Sequence, residues 1–178
     1  MKNNKIFKLA IIALFLASSV FYGCFKTITF SFSDSTTLTI PKTTPVGLPF
    51  NLPIPTVKTS ATTSFDNQKI PPSAIKEATL SKLVLTITSP QDQTFSFLKS
   101  ISIYIENSDG SNKQLIAYLD NIDSQAQSIS LKTTDVNLID YLKAGSYKLV
   151  TQVEVKQILG QDVDVKADLT FRVTAKIL

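Results

Sequence analysis

From Val163 to Ile177 every odd position is apolar: Val163, Val165, Ala167, Leu169, Phe171, Val173, Ala175 and Ile177. Between them stand Asp164, Lys166, Asp168, Thr170, Arg172, Thr174 and Lys176. An unbroken period of two over such a length describes a strand with one dry face and one wet face, as antiparallel sheets have. This constrains the fold class more than any other stretch of the chain. The preceding run, 147–157, is also strand-like and joins it through Ile158-Leu159-Gly160-Gln161, a hairpin connection containing glycine.

The earlier chain follows the same pattern. Ile28, Phe30 and Phe32 alternate with Thr and Ser, and Leu38 and Ile40 continue after a turn predicted at Asp34-Ser35. Val57 to Phe65 is rich in Thr and Ser and reads as a weakly alternating strand. Leu83, Leu85 and Ile87 form one further set, and Ile101, Ile103 and Ile105 another. Asp109-Gly110 then turns the chain tightly into Gln114–Leu119, and Ile129 and Leu131 mark a short strand. One helix is predicted over 135–143, with Thr134 as its cap, Val136, Ile139 and Leu142 on one face, and Gly145 beyond its end. A shorter turn is predicted at Pro72 to Glu77. Eight or nine strands with one short crossover helix predict an all-β fold, an antiparallel β-sandwich of immunoglobulin-like type, with a small β-barrel as the alternative. Residues 24–178 form a single domain in this reading.

Residues 41–55 hold five of the eight prolines, alternating with Val46, Leu48, Phe50, Leu52 and Ile54. Proline excludes helix and central strand, so the segment is expected to be extended and polyproline-like. Two roles stay open for it. It can be a crossover packed on the sandwich, or an exposed apolar ribbon whose five apolar residues contact a partner, a ligand or a membrane.

The N-terminus carries a different message. Lys2, Lys5 and Lys8 precede an uncharged stretch from Leu9 to Tyr22, followed by Gly23-Cys24, the pattern of a secretory signal with a small residue at the cut. Cys24 is the only cysteine. The run Phe21-Tyr22-Gly23-Cys24 resembles the lipobox of bacterial lipoproteins in its last two positions, and its aromatic pair departs toward the looser boxes of the Bacteroidetes. That resemblance implies removal of residues 1–23, acylation of Cys24 and membrane attachment through the acylated N-terminus. It also implies an outer-membrane location, with the periplasmic leaflet favoured over the cell surface, and an envelope protein as partner. With strand patterning beginning by Thr27, the domain is expected to sit close to the bilayer. Leu83 to Pro90 and Phe95 to Leu98 are similar to β-sandwich lipoproteins of that group, a likeness that carries no activity. Asp34-Ser35-Thr36 resembles that group's O-glycosylation site, with Ser35 as acceptor.

Charge and composition exclude several functions. Removing Lys2, Lys5 and Lys8 from the 18 basic residues leaves 15 against 14 acidic ones. Arg172 is the only arginine, so no basic patch for nucleic acid remains. Histidine is absent and the one thiol is assigned to the lipid, which removes the commonest general base and metal ligand. No cofactor, no metal and no catalytic residue is expected. Ser73-Ala-Ile-Lys76 matches a Ser-x-x-Lys spacing but lacks the rest of the penicillin-recognising set, and Ser73 reads as a helix cap with Lys76 in solvent. Asp162 and Asp164 share the polar face of their strand. Asn107 to Ser111 and Asp120 to Asp123 read as turns rather than calcium loops. The expected function is a non-enzymatic, lipid-anchored binding or accessory module. A carrier or chaperone for an apolar ligand is the alternative, and a hydrolase comes third.

Overall fold

The computed structural model describes residues 26–53 and 56–177. Ten strands are formed there: β1 (Lys26–Ile40), β2 (Phe50–Pro53), β3 (Val57–Lys58), β4 (Ile75–Ser89), β5 (Leu98–Asn107), β6 (Gln114–Leu119), β7 (Ser128–Ser130), β8 (Lys132–Thr133), β9 (Ser146–Val155) and β10 (Val163–Ile177). Two short helices, α1 (Ala61–Asn67) and α2 (Ile139–Lys143), lie between them.

The pairings nest around a single hairpin. β5 pairs with β6 across the Asp109-Gly110 turn, β4 with β7, β2 with β9, and β1 with β10, all antiparallel. The chain is thus a long two-stranded ribbon folded over on itself. The folding brings β4 against β10 and β5 against β9, closing two sheets of order β1-β10-β4-β7 and β2-β9-β5-β6-β8. β3 adds to β9 beyond the end of β2. The all-β antiparallel sandwich is as expected, and no closed barrel forms. Within that class the nested order is that of a jelly roll.

The tip hairpin shows why the ribbon starts where it does. Gly110 has φ +86, a conformation that costs a residue with a Cβ. Its N–H donates to the Asn107 carbonyl at 2.8 Å, and Ser111 donates through both its N–H and its hydroxyl to Asp109. Those bonds hold the Asp109 carboxyl below its usual range.

The core lies between the sheets. Along β10 the inward residues from Val163 to Ala175 are all fully buried. Phe171 stacks on Phe32 of β1 at 5.2 Å and meets Tyr147 of β9 edge-on at 6.1 Å. Phe95 and Phe97, carried by a 3₁₀ turn, plug one end. Burying a side chain of this size removes apolar area worth about 3 kcal/mol.

Four local expectations are corrected. No turn forms at Asp34-Ser35: β1 runs unbroken and in register with β10 over all 15 residues. The helix expected over 135–143 shrinks to Ile139–Lys143, because the Thr134 hydroxyl donates to the Leu115 carbonyl instead of capping. The strand expected over Val57 to Phe65 stops at Lys58, and α1 follows. The proline segment is not uniformly extended. Val46 bridges Val155, Gly47 turns the chain at φ +76, and only Phe50–Pro53 is strand.

Candidate functional site

Three places in the molecule depart from what a bland sandwich needs. The first is an apolar corner. Among the described residues the exposed large hydrophobics are Val46, Leu48, Phe50 and Ile158, with Leu48 61% and Ile158 85% exposed. They gather because Val46 bridges Val155 and Phe50 pairs with Val153, while Ile158 sits three residues beyond Val155. Gly47, with its amide on the Val155 carbonyl at 2.8 Å, presents Leu48 at the tip of the turn.

This corner borders two sheet edges. β1 is the outer strand of one sheet, and β2 with β3 forms the outer edge of the other. Edges are normally blunted by charge, proline, bulges or brevity. β2 is short and contains Pro53. β1 is neither short nor bulged against β10, and its solvent face from Thr27 to Thr39 is entirely Ser and Thr.

The second place is a polar pin through the core. Asp34 points inward, 6% exposed, among apolar neighbours on β1. Its Oδ1 accepts from the Ser60 N–H at 2.8 Å and the Ser60 hydroxyl at 2.7 Å, and its Oδ2 accepts from the Tyr147 hydroxyl at 3.0 Å. A buried carboxylate is tolerated when such donors replace water. Burial, and then the adjacent Asp34 charge and hydrogen bond, push the Tyr147 hydroxyl far above its ordinary range. The pin ties β1, the start of α1 and β9 together. Its groups are buried and mutually satisfied, so it is a structural tie.

The third place is a basic groove of about 720 Å³ beside the end of β10. Lys69, Lys76 and Lys176 line it with Ser73, against apolar wall from Pro71 and Ile177. Ser73 is inside the 3₁₀ turn Pro72–Ala74 rather than capping a helix, and Lys76 is on β4, so both ends of the Ser-x-x-Lys spacing reach one groove.

The remaining sequence candidates are placed as follows. Val46, Leu48 and Phe50 are exposed as a contact ribbon requires. Leu52 is corrected: it is 3% exposed and turned into the core opposite Thr151, which excludes it from surface contact. Ser35 is exposed on β1 opposite Asp168. Ile54, Cys24 and the signal stretch lie outside the described residues. Asp162 accepts from the Lys42 N–H and ties two loops, and Asp164 accepts from the Thr39 hydroxyl and ties β10 to β1. Among the described residues no group of three His, Cys, Asp or Glu could hold a metal, and no helix is long and apolar enough to cross a membrane. Sequence reading missed the groove, because its lysines come from a helix end, a bulge and a distant strand. It also missed the pin, although an Asp on the apolar phase of an alternating strand was its visible sign.

No family model matches the chain, and no curated protein matches it. Solved structures do. The BFDV capsid protein in its 60-mer form is 12% identical, with a TM-score of 0.43 over 87% of this chain and 96% of that one. The capsid of the Helicobacter pylori bacteriophage KHP30 is 15% identical, with a TM-score of 0.36 over 86% of this chain and 99% of that one. Turnip yellow mosaic virus gives 12% identity and a TM-score of 0.28, covering 86% and 96%. These neighbours correct the functional expectation drawn from the N-terminal resemblance. Two are capsid structures by name and the third a virus, and none is a lipid-anchored envelope module, so the accessory and carrier roles, the outer-membrane location and the envelope partner are not carried further. With TM-scores below 0.5, the likeness brings no capsid role to this chain either.

Proposed function

We propose that this chain is a non-enzymatic structural module that works by self-association, copy against copy. The corner of Val46, Leu48 and Phe50 carries this reading, because these exposed apolar residues follow one another along the segment that the Val46–Val155 bridge and the Phe50–Val153 pair hold against β9, with exposed Ile158 three residues beyond Val155. Clustered exposed apolar side chains mark contact surfaces, whereas scattered ones need no explanation. The adjoining edge of β1 supports the same reading. Its inward residues from Ile28 to Ile40 pack on the core while its outer backbone edge is long, unbulged and uncharged on the solvent face.

Sedimentation velocity of the full chain tests the proposal. The wild-type chain is expected to associate, and the Leu48→Asp/Ile158→Asp variant to sediment as a monomer with an unchanged melting temperature, since both side chains are mostly exposed. A wild-type chain that stays monomeric up to about 100 µM would overturn it, because weaker association than that has little structural use.

A further inference from the structure

The outer edge of β1 is not uniformly open, and side-chain contacts reveal which of its backbone groups face outward. In an antiparallel sheet alternate residues send their N–H and C=O to alternate sides, and pairs without ladder bonds bring their side chains closest. The Ser33 and Thr170 hydroxyls meet at 3.2 Å, and the Thr39 hydroxyl donates to Asp164 at 2.7 Å. On the far side of β10, the Thr170 and Asp164 carbonyls accept from the Ser81 and Thr88 hydroxyls of β4 at 3.0 and 3.2 Å. The even positions of β10 therefore serve β4. The odd positions of β1 opposite them turn their backbone groups outward.

Two of those odd positions are closed. The Ser60 hydroxyl, which donates to Asp34, also lies 3.2 Å from the Ser33 carbonyl and covers it. Pro41 has no N–H, and its carbonyl accepts from the Thr44 N–H at 2.9 Å and the Thr44 hydroxyl at 2.7 Å. Between these stops Ser35, Thr37 and Thr39 are exposed, and their outward N–H and C=O groups have no partner among the described residues. The run leads to the apolar corner: Ile40 pairs with Val163, which follows Ile158, and the chain continues from Ile40 to Val46. The other open run, Thr27 to Ser31, lies beyond Ser33 and away from that corner. Its inward residues Ile28 and Phe30 are half-buried, whereas Leu38 and Ile40 are buried.

We propose that Ser35 to Thr39 of β1 pairs antiparallel with the same run of a second copy, a pairing that rests on the self-association proposed above and gives it two-fold symmetry. With three outward residues on each copy, a pairing that engages all of them has one register. Thr37 faces its own counterpart, and Ser35 faces Thr39 of the second copy. Each opposed pair exchanges two backbone hydrogen bonds, and the two four-stranded sheets become continuous. The side chains brought together are all Ser or Thr, so no like charges meet across the axis. The other edges offer less: β2 contains Pro53, and β7 and β8 are only three and two residues long.

Disulfide cross-linking and sedimentation velocity of the full chain test this. In a Cys24→Ala background, Thr37→Cys is expected to form a covalent dimer under mild oxidation. An opposed ladder pair sets its Cα atoms about 5.5 Å apart, within disulfide reach. Thr29→Cys, on the far side of Ser33, is expected to stay uncross-linked. Thr37→Pro removes an outward N–H without touching a bond to β10, so it is expected to weaken association about tenfold. Should that variant lose stability, the cross-link decides alone. A wild-type chain that stays monomeric up to about 100 µM would overturn both this pairing and the self-association reading. A chain that associates while Thr37→Cys cross-links no better than Thr29→Cys, or while a folded Thr37→Pro associates as the wild type does, would overturn the pairing alone.

Discussion

β1 and β10 are the two strands that pair along their whole length, yet they are built differently. β10 lies inside its sheet, and its inward face from Val163 to Ala175 is wholly apolar and buried. β1 lies at the edge, and the same inward phase reads Ile28, Phe30, Phe32, Asp34, Thr36, Leu38, Ile40. β10 is held by packing that any strand of its pattern would find. β1 is held at its middle by one carboxylate, and that carboxylate depends on donors more than twenty residues away. The contrast shows how alternation fails as a guide. A polar residue on the dry phase looks like a turn until a buried partner for it is known.

The largest expected effect breaks the central strand. Phe171→Ala removes a fully buried ring that contacts both Phe32 and Tyr147, and should cost about 4 kcal/mol in a denaturant titration. A loss near 1 kcal/mol would mean the core collapses around the site, and the contrast between the strands would weaken.

The second experiment addresses the edge strand through the pin. Asp34→Ala leaves the buried Tyr147 hydroxyl and the half-buried Ser60 N–H without their acceptor and should cost about 3 kcal/mol. The pin also has a pH signature. The Tyr147 hydroxyl titrates higher in the fold than in the unfolded chain, so the folded state keeps a proton that the unfolded chain releases. Stability from this group is therefore fully present below about pH 10 and falls above it, by up to about 1.4 kcal/mol per pH unit. Tyr141 is raised in the same direction by burial and by Asp140, so Tyr147→Phe should shrink the alkaline loss without abolishing it. An alkaline limb as steep in the variant as in the wild type would remove Tyr147 from the account.

The smallest effect sharpens the comparison from β9. Thr151 is fully buried and its hydroxyl has no hydrogen-bond partner among the described residues, unlike the satisfied carboxylate of Asp34. Thr151→Val keeps the shape and removes the orphaned group, so it should stabilise the fold by about 1 kcal/mol. A destabilised variant would show that the hydroxyl is satisfied in solution.

Much of the sheet content was legible because alternation is a local signal. β10, β9, β5 and the Asp109-Gly110 hairpin each declare themselves within about a dozen residues. The segment from Pro41 to Asn67 did not. Its prolines and threonines suit several conformations, and the choice among strand, turn and helix was made by Val153 and Val155 on one side and by Asp34 on the other. Leu52 shows the consequence: it shares its sequence phase and its strand face with Phe50, yet it is 3% exposed opposite Thr151 while Phe50, opposite Val153, stays 36% exposed.

The sequence by itself determined that this chain is all-β, which strands have a dry face, and where the ribbon reverses, because side-chain period and turn chemistry act between near neighbours. Only the tertiary structure decided which strands became edges, how Asp34 came to be buried, and that Lys69, Lys76 and Lys176 share one groove. Those outcomes depend on which strand pairs with which, and hydrogen bonding between backbones is blind to the side chains that alternation reveals.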